Sequence, residues 1–172
     1  MNYPWYIELL QTDNLEQGDI FYNCTQLEPS IQNSERGDVL SVRMVKVDVI
    51  VLSQSCDLGH GKIKNVMVCP FSKLSNHLKN NFTTQGERKG HIKKLKRGEE
   101  LQYHILNKQK QIFDDFLVVD LKNAFGVTFE YLEGLRKSQD KNYRLLPPYR
   151  EHLSQAFARI FMRIGLPEDI SD

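Results

Sequence analysis

At 172 residues the chain is the length of one domain of ordinary size, and its 40% hydrophobic, 26% charged and 10% aromatic content excludes a disordered segment, which cannot bury enough apolar surface to offset its ordering entropy. A net charge of +1 neither demands nor excludes nucleic acid, because phosphate answers to a local patch rather than to the sum. No apolar run is long enough to span a membrane, and the opening MNYPWYIELLQTDN lacks the basic start and apolar run of a signal peptide, so a cytoplasmic protein with no membrane partner is expected.

In chain order, Trp5, Tyr6, Ile7, Leu9 and Leu10 form a short apolar opening, either one helical turn or an edge strand. Gly18-Asp19 leads into a first strand, Ile20 to Cys24, and residues 25 to 38, rich in Gln, Asn, Ser, Glu and Pro and ending in Gly37-Asp38, are expected to form a loop. Val39 to Lys46 and Asp48 to Leu52 are strand-like. Val45, Val47, Val49 and Val51 share one face at period two while Ile50 and Leu52 begin to fill the other, so burial is expected to grow towards Ser53. Val66 to Phe71 makes a further strand, apolar on both faces and stopped by Pro70, pairing with the preceding one across a loop of about residues 54 to 63.

Ser72 is expected to cap a helix over 73–81. Residues 83 to 98 carry Gly86, Gly90 and Gly98 and form the most basic segment. Strands follow over 101–106 and 116–121, then 124–128, and a short helix over 129–135 ends at a polar turn. Pro147-Pro148 opens a last helix whose Leu153, Ala156, Phe157, Ile160, Phe161 and Ile164 form one apolar stripe, closed by Gly165 and Pro167.

Four groups of residues carry possible chemistry. The first is Ser53, Ser55, Cys56, Asp57 and His60 in VIVLSQSCDLGHGK. Cys56 with His60 or His152 supplies two ingredients of nucleophilic catalysis, but the adjacent Asp57 carboxylate opposes thiolate formation. The simpler expectation is that Cys56 packs as a small hydrophobe while Asp57 and Ser55 bond the backbone of a turn. The second is a zinc site of Cys56, His60 and Cys69 or Cys24. No CxxC or HxxxH pair supports it, so no metal and no cofactor is expected, and the odd number of cysteines points to reduced thiols.

The third group is the basic run containing Arg88, Lys89, Lys93, Lys94, Lys96 and Arg97, whose clustered cations and glycine flexibility suit a phosphate backbone; the alternative is a solvated loop or helix face. With few aromatics interleaved, base stacking is not indicated. The fourth is the flank of the last helix, where His152, Gln155, Arg159 and Arg163 form a stripe for phosphates, for a partner's carboxylates, or for the chain's own Asp57 or Asp120.

The pieces QGDIF, VDVIVLSQ and VMVCPFS, within residues 17 to 73, resemble the opening of the PemK/MazF-type toxins. The resemblance implies a small SH3-like barrel that acts on RNA. In that family an arginine before the Val-rich strand and a threonine after the proline are tied to cleavage; Lys46 or Asp48 stands in the arginine's region here and Ser72 near the threonine's place. Lysine lacks the planar two-pronged grip of arginine on phosphate, so the resemblance implies binding, and endoribonuclease activity only if Lys46 and Ser72 serve. The ending RLLPPYREHLSQAFARIFMRIGLP, together with the Ser-Gln-x-Cys-Asp segment, resembles a family of uncharacterised bacterial proteins over most of the chain, which implies a bacterial or phage origin.

The expected fold is therefore a single α+β domain, a partly open antiparallel SH3-like barrel with a helical, basic insertion and a covering C-terminal helix. The expected function is nucleic-acid binding, RNA first, by a protein of toxin-like ancestry in a defence or toxin–antitoxin setting. The alternatives are a protein-interaction module without nucleic acid and a Cys56-dependent enzyme.

Overall fold

A computed structural model describes residues 3–32, 38–59 and 62–162; Gly37, His60, Gly61, Arg163, Ile164, Gly165 and Pro167 lie outside them. The described elements are β1 (Tyr6–Leu9), β2 (Asp19–Gln32), β3 (Val39–Val51), α1 (Ser55–Gly59), β4 (Asn65–Lys73), α2 (Leu74–Asn81), α3 (Gln85–Arg97), β5 (Tyr103–Leu106), β6 (Leu117–Asp120), a short 3-10 helix (Leu121–Asn123), β7 (Phe125–Thr128), α4 (Phe129–Ser138), β8 (Asn142–Leu145) and α5 (Tyr149–Phe161). The class is α+β. The strands form one antiparallel sheet in the order β1-β8-β2-β3-β4-β6-β5, with β7 also pairing β4. The sheet stays open, with β1 and β5 as its ends. No described helix is long and apolar enough to cross a membrane.

Alternation along β3 sends its side chains into two cores, as its period-two pattern predicts. Ile50 and Leu52 join Ile20, Cys69, Val119 and Leu145 on one face, where Leu153 of α5 is also buried. Val49 and Val51 join Phe21, Cys24, Val66, Val68 and Leu132 of α4 on the other. Asp48 to Val51 pair with Phe71 to Val68, the one pairing the sequence specifies.

Four expectations fail for identifiable reasons. Residues 25 to 32 are not a loop but the outer half of β2, paired with Val39 to Lys46; cross-strand pairing overrides their low strand propensity. Pro70 does not stop β4: it lies opposite Val49 of β3, while on the other edge β7 pairs only Asn65 to Val68 and β6 only Phe71 to Lys73, so the gap between them leaves that edge without a ladder that a missing N–H would break. Ser72 does not cap α2: it lies in β4, and the N-cap is Lys73 with no side-chain bond. The polar turn expected over Lys137 to Asn142 is shortened from both sides, since Lys137 and Ser138 still belong to α4 and Asn142 begins strand β8, which joins β1 to β2.

A bulge between Phe21 and Cys24 puts Asn23 in the left-handed region at φ 55, which asparagine tolerates, and the Asn23 amide donates to Asp48 Oδ1 at 3.0 Å. Gly18, at φ 86, has no substitute for a different reason: a Cβ there would stand 2.7 Å from the Leu145 carbonyl oxygen.

Candidate nucleic-acid interface

The basic segment is an ordered helix rather than a flexible wrap. Thr84 Oγ1 accepts from the Glu87 amide at 3.3 Å while Glu87 Oε2 accepts from the Thr84 amide at 3.0 Å, a reciprocal cap that fixes the start of α3. Gly98, left-handed at φ 67, ends it, with its amide on Leu95 O and that of Glu99 on Lys94 O. Gly86 and Gly90 lie inside the helix on its exposed side.

Position along α3 sorts its cations. His91 and Leu95 are buried, and the Arg88 guanidinium is spent on the Phe82 carbonyl oxygen at 2.9 and 3.1 Å. Lys89, Lys93, Lys96 and Arg97 are exposed and fall within ~100° of helical arc at 100° per residue. Lys94 leans towards Glu100, 3.7 Å away. Arg97 has Glu99 at 3.6 Å, and Lys96 Nζ lies 5.3 Å above the Phe116 ring.

A histidine pair holds this helix against α2. His77 Nε2 and His91 Nε2 are 3.0 Å apart with the rings stacked at 5.1 Å, so one ring must donate and the other accept. Burial pushes both imidazoles down, and for His77 the neighbouring His91 adds to it. Both are therefore neutral at physiological pH.

Beyond Gly98 the chain turns into β5, and here α3 meets α5. One groove of about 520 Å³ is lined by Lys96, Arg97, Glu100, His104, His152, Gln155 and Arg159, and closed at one side by Trp5. Trp5 is fixed by face-to-face stacking on Tyr149, centroids 3.6 Å apart, which also seats the first turn of α5. His104 is half-buried; burial, with the charges of His152 and Arg159, pushes it down to about 4, leaving a neutral ring able to donate and accept. Three exposed cations against one half-buried carboxylate give the groove a positive balance, the arrangement that draws phosphate.

The structure thus joins two groups that the sequence kept apart, Lys96 and Arg97 from the basic run and Arg159 from the last helix. Glu100 and His104 were missed, since only the placing of β5 beside α5 brings them in. Arg88 is a structural clamp, and Arg163 lies outside the described residues. Of the pairings expected for the α5 stripe, Arg159 faces His104 rather than Asp57 or Asp120.

Lys46 and Ser72 stand elsewhere. Lys46 Nζ donates to Thr25 Oγ1 at 2.6 Å, and Ser72 lines a cleft with Asp48, Lys73 and Asp114, in which Lys73 and Asp114 are already bonded at 2.8 Å.

The segment around Cys56 is not a simple turn. Ser53 Oγ accepts from the Met67 amide at 2.9 Å and Ser55 Oγ from the Gln17 amide at 3.2 Å, so Ser55 satisfies a distant backbone amide rather than that of its own turn. Cys56, however, opens helix α1 facing solvent rather than packing as a hydrophobe. Its sulfur contacts Gln54 Oε1 at 3.6 Å and Asp57 Oδ1 at 3.8 Å, neither of which is a base suited to activating a thiol. Cys24 and Cys69 are buried in different cores. Among the described residues no group of three or more His, Cys, Asp or Glu is placed to hold a metal ion.

No protein-family model matches the chain, and a search of characterised proteins finds no significant relative.

Proposed function

We propose that the protein binds nucleic acid, single-stranded RNA first, with the phosphate backbone running along the exposed α3 stripe and into the groove between the end of α3 and α5. One observation carries the reading: Lys96 and Arg97 share a groove with Arg159, a residue distant in sequence. Lys89 and Lys93 extend the track, His104 and Gln155 offer neutral hydrogen bonds within it, and the stacked Trp5 gives it a rigid wall. The choice of RNA, an SH3-like barrel ancestry and a defence setting rest on the PemK/MazF resemblance of residues 17 to 73. The role is binding rather than cleavage, because Lys46 and Ser72 stand apart from the groove.

The test is fluorescence anisotropy of the full chain with single-stranded RNA and DNA at several salt concentrations. A linear fall of log affinity with log salt is expected, with a slope of roughly −0.7 per phosphate contacted. Replacing Lys93, Lys94, Lys96 and Arg97 by Ala should abolish binding, and Arg159→Ala should weaken it about 10-fold, the worth of ~1.4 kcal/mol. Binding that ignores these substitutions removes the reading. The rival, a protein-interaction role, is favoured by a different observation, the exposed apolar face of the β2–β3 hairpin.

A further inference from the structure

Beyond the bulge, β2 and β3 leave the body of the sheet as a two-stranded arm, and pairing assigns its side chains to faces. The Cα partners are Thr25 with Lys46, Leu27 with Met44, Pro29 with Val42 and Ile31 with Leu40 on one face, and Gln26 with Val45, Glu28 with Arg43 and Ser30 with Ser41 on the other. The second face is finished as a water-facing surface: Arg43 Nε donates to Glu28 Oε2 at 2.9 Å, and the Ser30 and Ser41 hydroxyls are 2.7 Å apart. The first face is apolar and bare. Leu27, Ile31, Leu40, Val42 and Met44 are 61%, 69%, 69%, 52% and 74% exposed, and Pro29 is exposed too. The one charge on that face, Lys46, sits at the arm's base and is bonded to Thr25.

Six aligned apolar side chains at roughly 100 Å² each present about 600 Å² to water, as large as the largest patches monomers tolerate. We propose that this face is a homodimer interface, in which the arms of two copies pack face to face about a two-fold axis at the Pro29–Val42 pair. The Leu27–Met44 pair of each copy then lies over the Ile31–Leu40 pair of the other.

Three features select a second copy. The face bears a single charge, Lys46, and that at the arm's base beside Thr25, so from Leu27 to Ile31 and Leu40 to Met44 nothing selects a charged partner or a phosphate backbone. Its matching surface must be flat, apolar and two strands wide, which the same arm supplies, and such self-complementarity is what a two-fold contact requires. Burying it on both copies removes on the order of 1,000 Å², the size at which a contact becomes a specific interface. Pro29, placed in the outer half of β2, disfavours extension of the sheet through the β2 edge, and the bare apolar side chains stand on the face of the ribbon rather than along its edges, so the mode is face to face.

The inference stands apart from the nucleic-acid reading, and its experiment is read in nuclease-treated protein at high salt. Sedimentation of the full chain at tens of micromolar should show a dimer. Leu40→Asp with Met44→Asp should raise the dimer dissociation constant by about 100-fold while leaving the circular dichroism spectrum of the folded chain unchanged, since within one chain both side chains face water. Val42→Cys in a Cys56→Ser background should form a disulfide-linked dimer on mild oxidation. A monomeric wild-type chain, a dimer that survives the double substitution, or failure of Val42→Cys to cross-link overturns the proposal.

Discussion

Asp19 and Arg136, 117 positions apart, form an ion pair with both side chains all but removed from water. Arg144 Nε reaches the same carboxylate at 2.5 Å, and Arg136 also donates to the carbonyl oxygens of Asp13 and Asn14 at 2.6 and 3.2 Å. One carboxylate thus holds α4, β8 and the segment before β2 together.

Removing that carboxylate leaves two guanidiniums without their counter-charge. Asp19→Asn, which keeps the size, should lower unfolding free energy by about 3–5 kcal/mol. Urea denaturation gives the value, and a loss under ~1 kcal/mol would show that water reaches the pair.

Stability should fall on the acid side of neutrality. His77, His91 and His104 are all held below their ordinary value by burial, His104 at about 4. The unfolded chain therefore takes up protons first as pH drops. Their contribution is complete above the ordinary value of 6.5 and is lost as pH falls below it, for His104 progressively down to about 4. For His104 alone the loss by about pH 5 is on the order of 2 kcal/mol. Urea midpoints across this range should show it, and His104→Gln should flatten the limb.

Arg88 separates folding from binding. Because its guanidinium is engaged by the Phe82 carbonyl, Arg88→Ala should cost about 1 kcal/mol of stability yet leave the salt slope of RNA binding unchanged. Lys93→Ala should do the reverse. Thermal melts and anisotropy on the two variants provide the check, and a slope reduced by Arg88→Ala would mean that this side chain leaves Phe82 to meet phosphate.

Of the three thiols, only Cys56 should react with iodoacetamide in the native protein. Burial pushes Cys24 up to about 11 and Cys69 up to about 12, whereas Cys56 faces solvent. Mass spectrometry should find one adduct per chain and none in Cys56→Ser. Such selectivity follows from exposure alone, so a nucleophilic role would need a rate exceeding that of free cysteine.

What could be read in the sequence was what local periodicity controls. The two faces of β3, its partner β4 and the Leu153, Ala156, Phe157 and Ile160 part of the α5 stripe show as spacing, because burial there is set by neighbours along the strand or helix, whereas Phe161 of that stripe is exposed. The arm escaped notice because its polar half, Glu28, Ser30 and Gln32, is the solvent face of a ribbon and has the composition of a loop. β8 escaped because its polar residues are held by partners that spacing does not show: buried Asn142 by the Arg136 carbonyl at the end of α4, and half-buried Arg144 by the distant Asp19 carboxylate. At the groove, the cations could be listed from sequence by type, but their division into clamp and contact depended on which side of α3 rests on α2.

Strand β1 finds its sheet partner only in β8, Tyr6 lying opposite Leu145, and β8 in turn bridges to the start of β2. Of the described strands β1 is thus made first and paired last: the apolar surface of Trp5 and Tyr6 waits until β8 has been translated. Such long-range closure slows folding and lengthens the exposure of the Trp5–Leu9 segment to wrong partners.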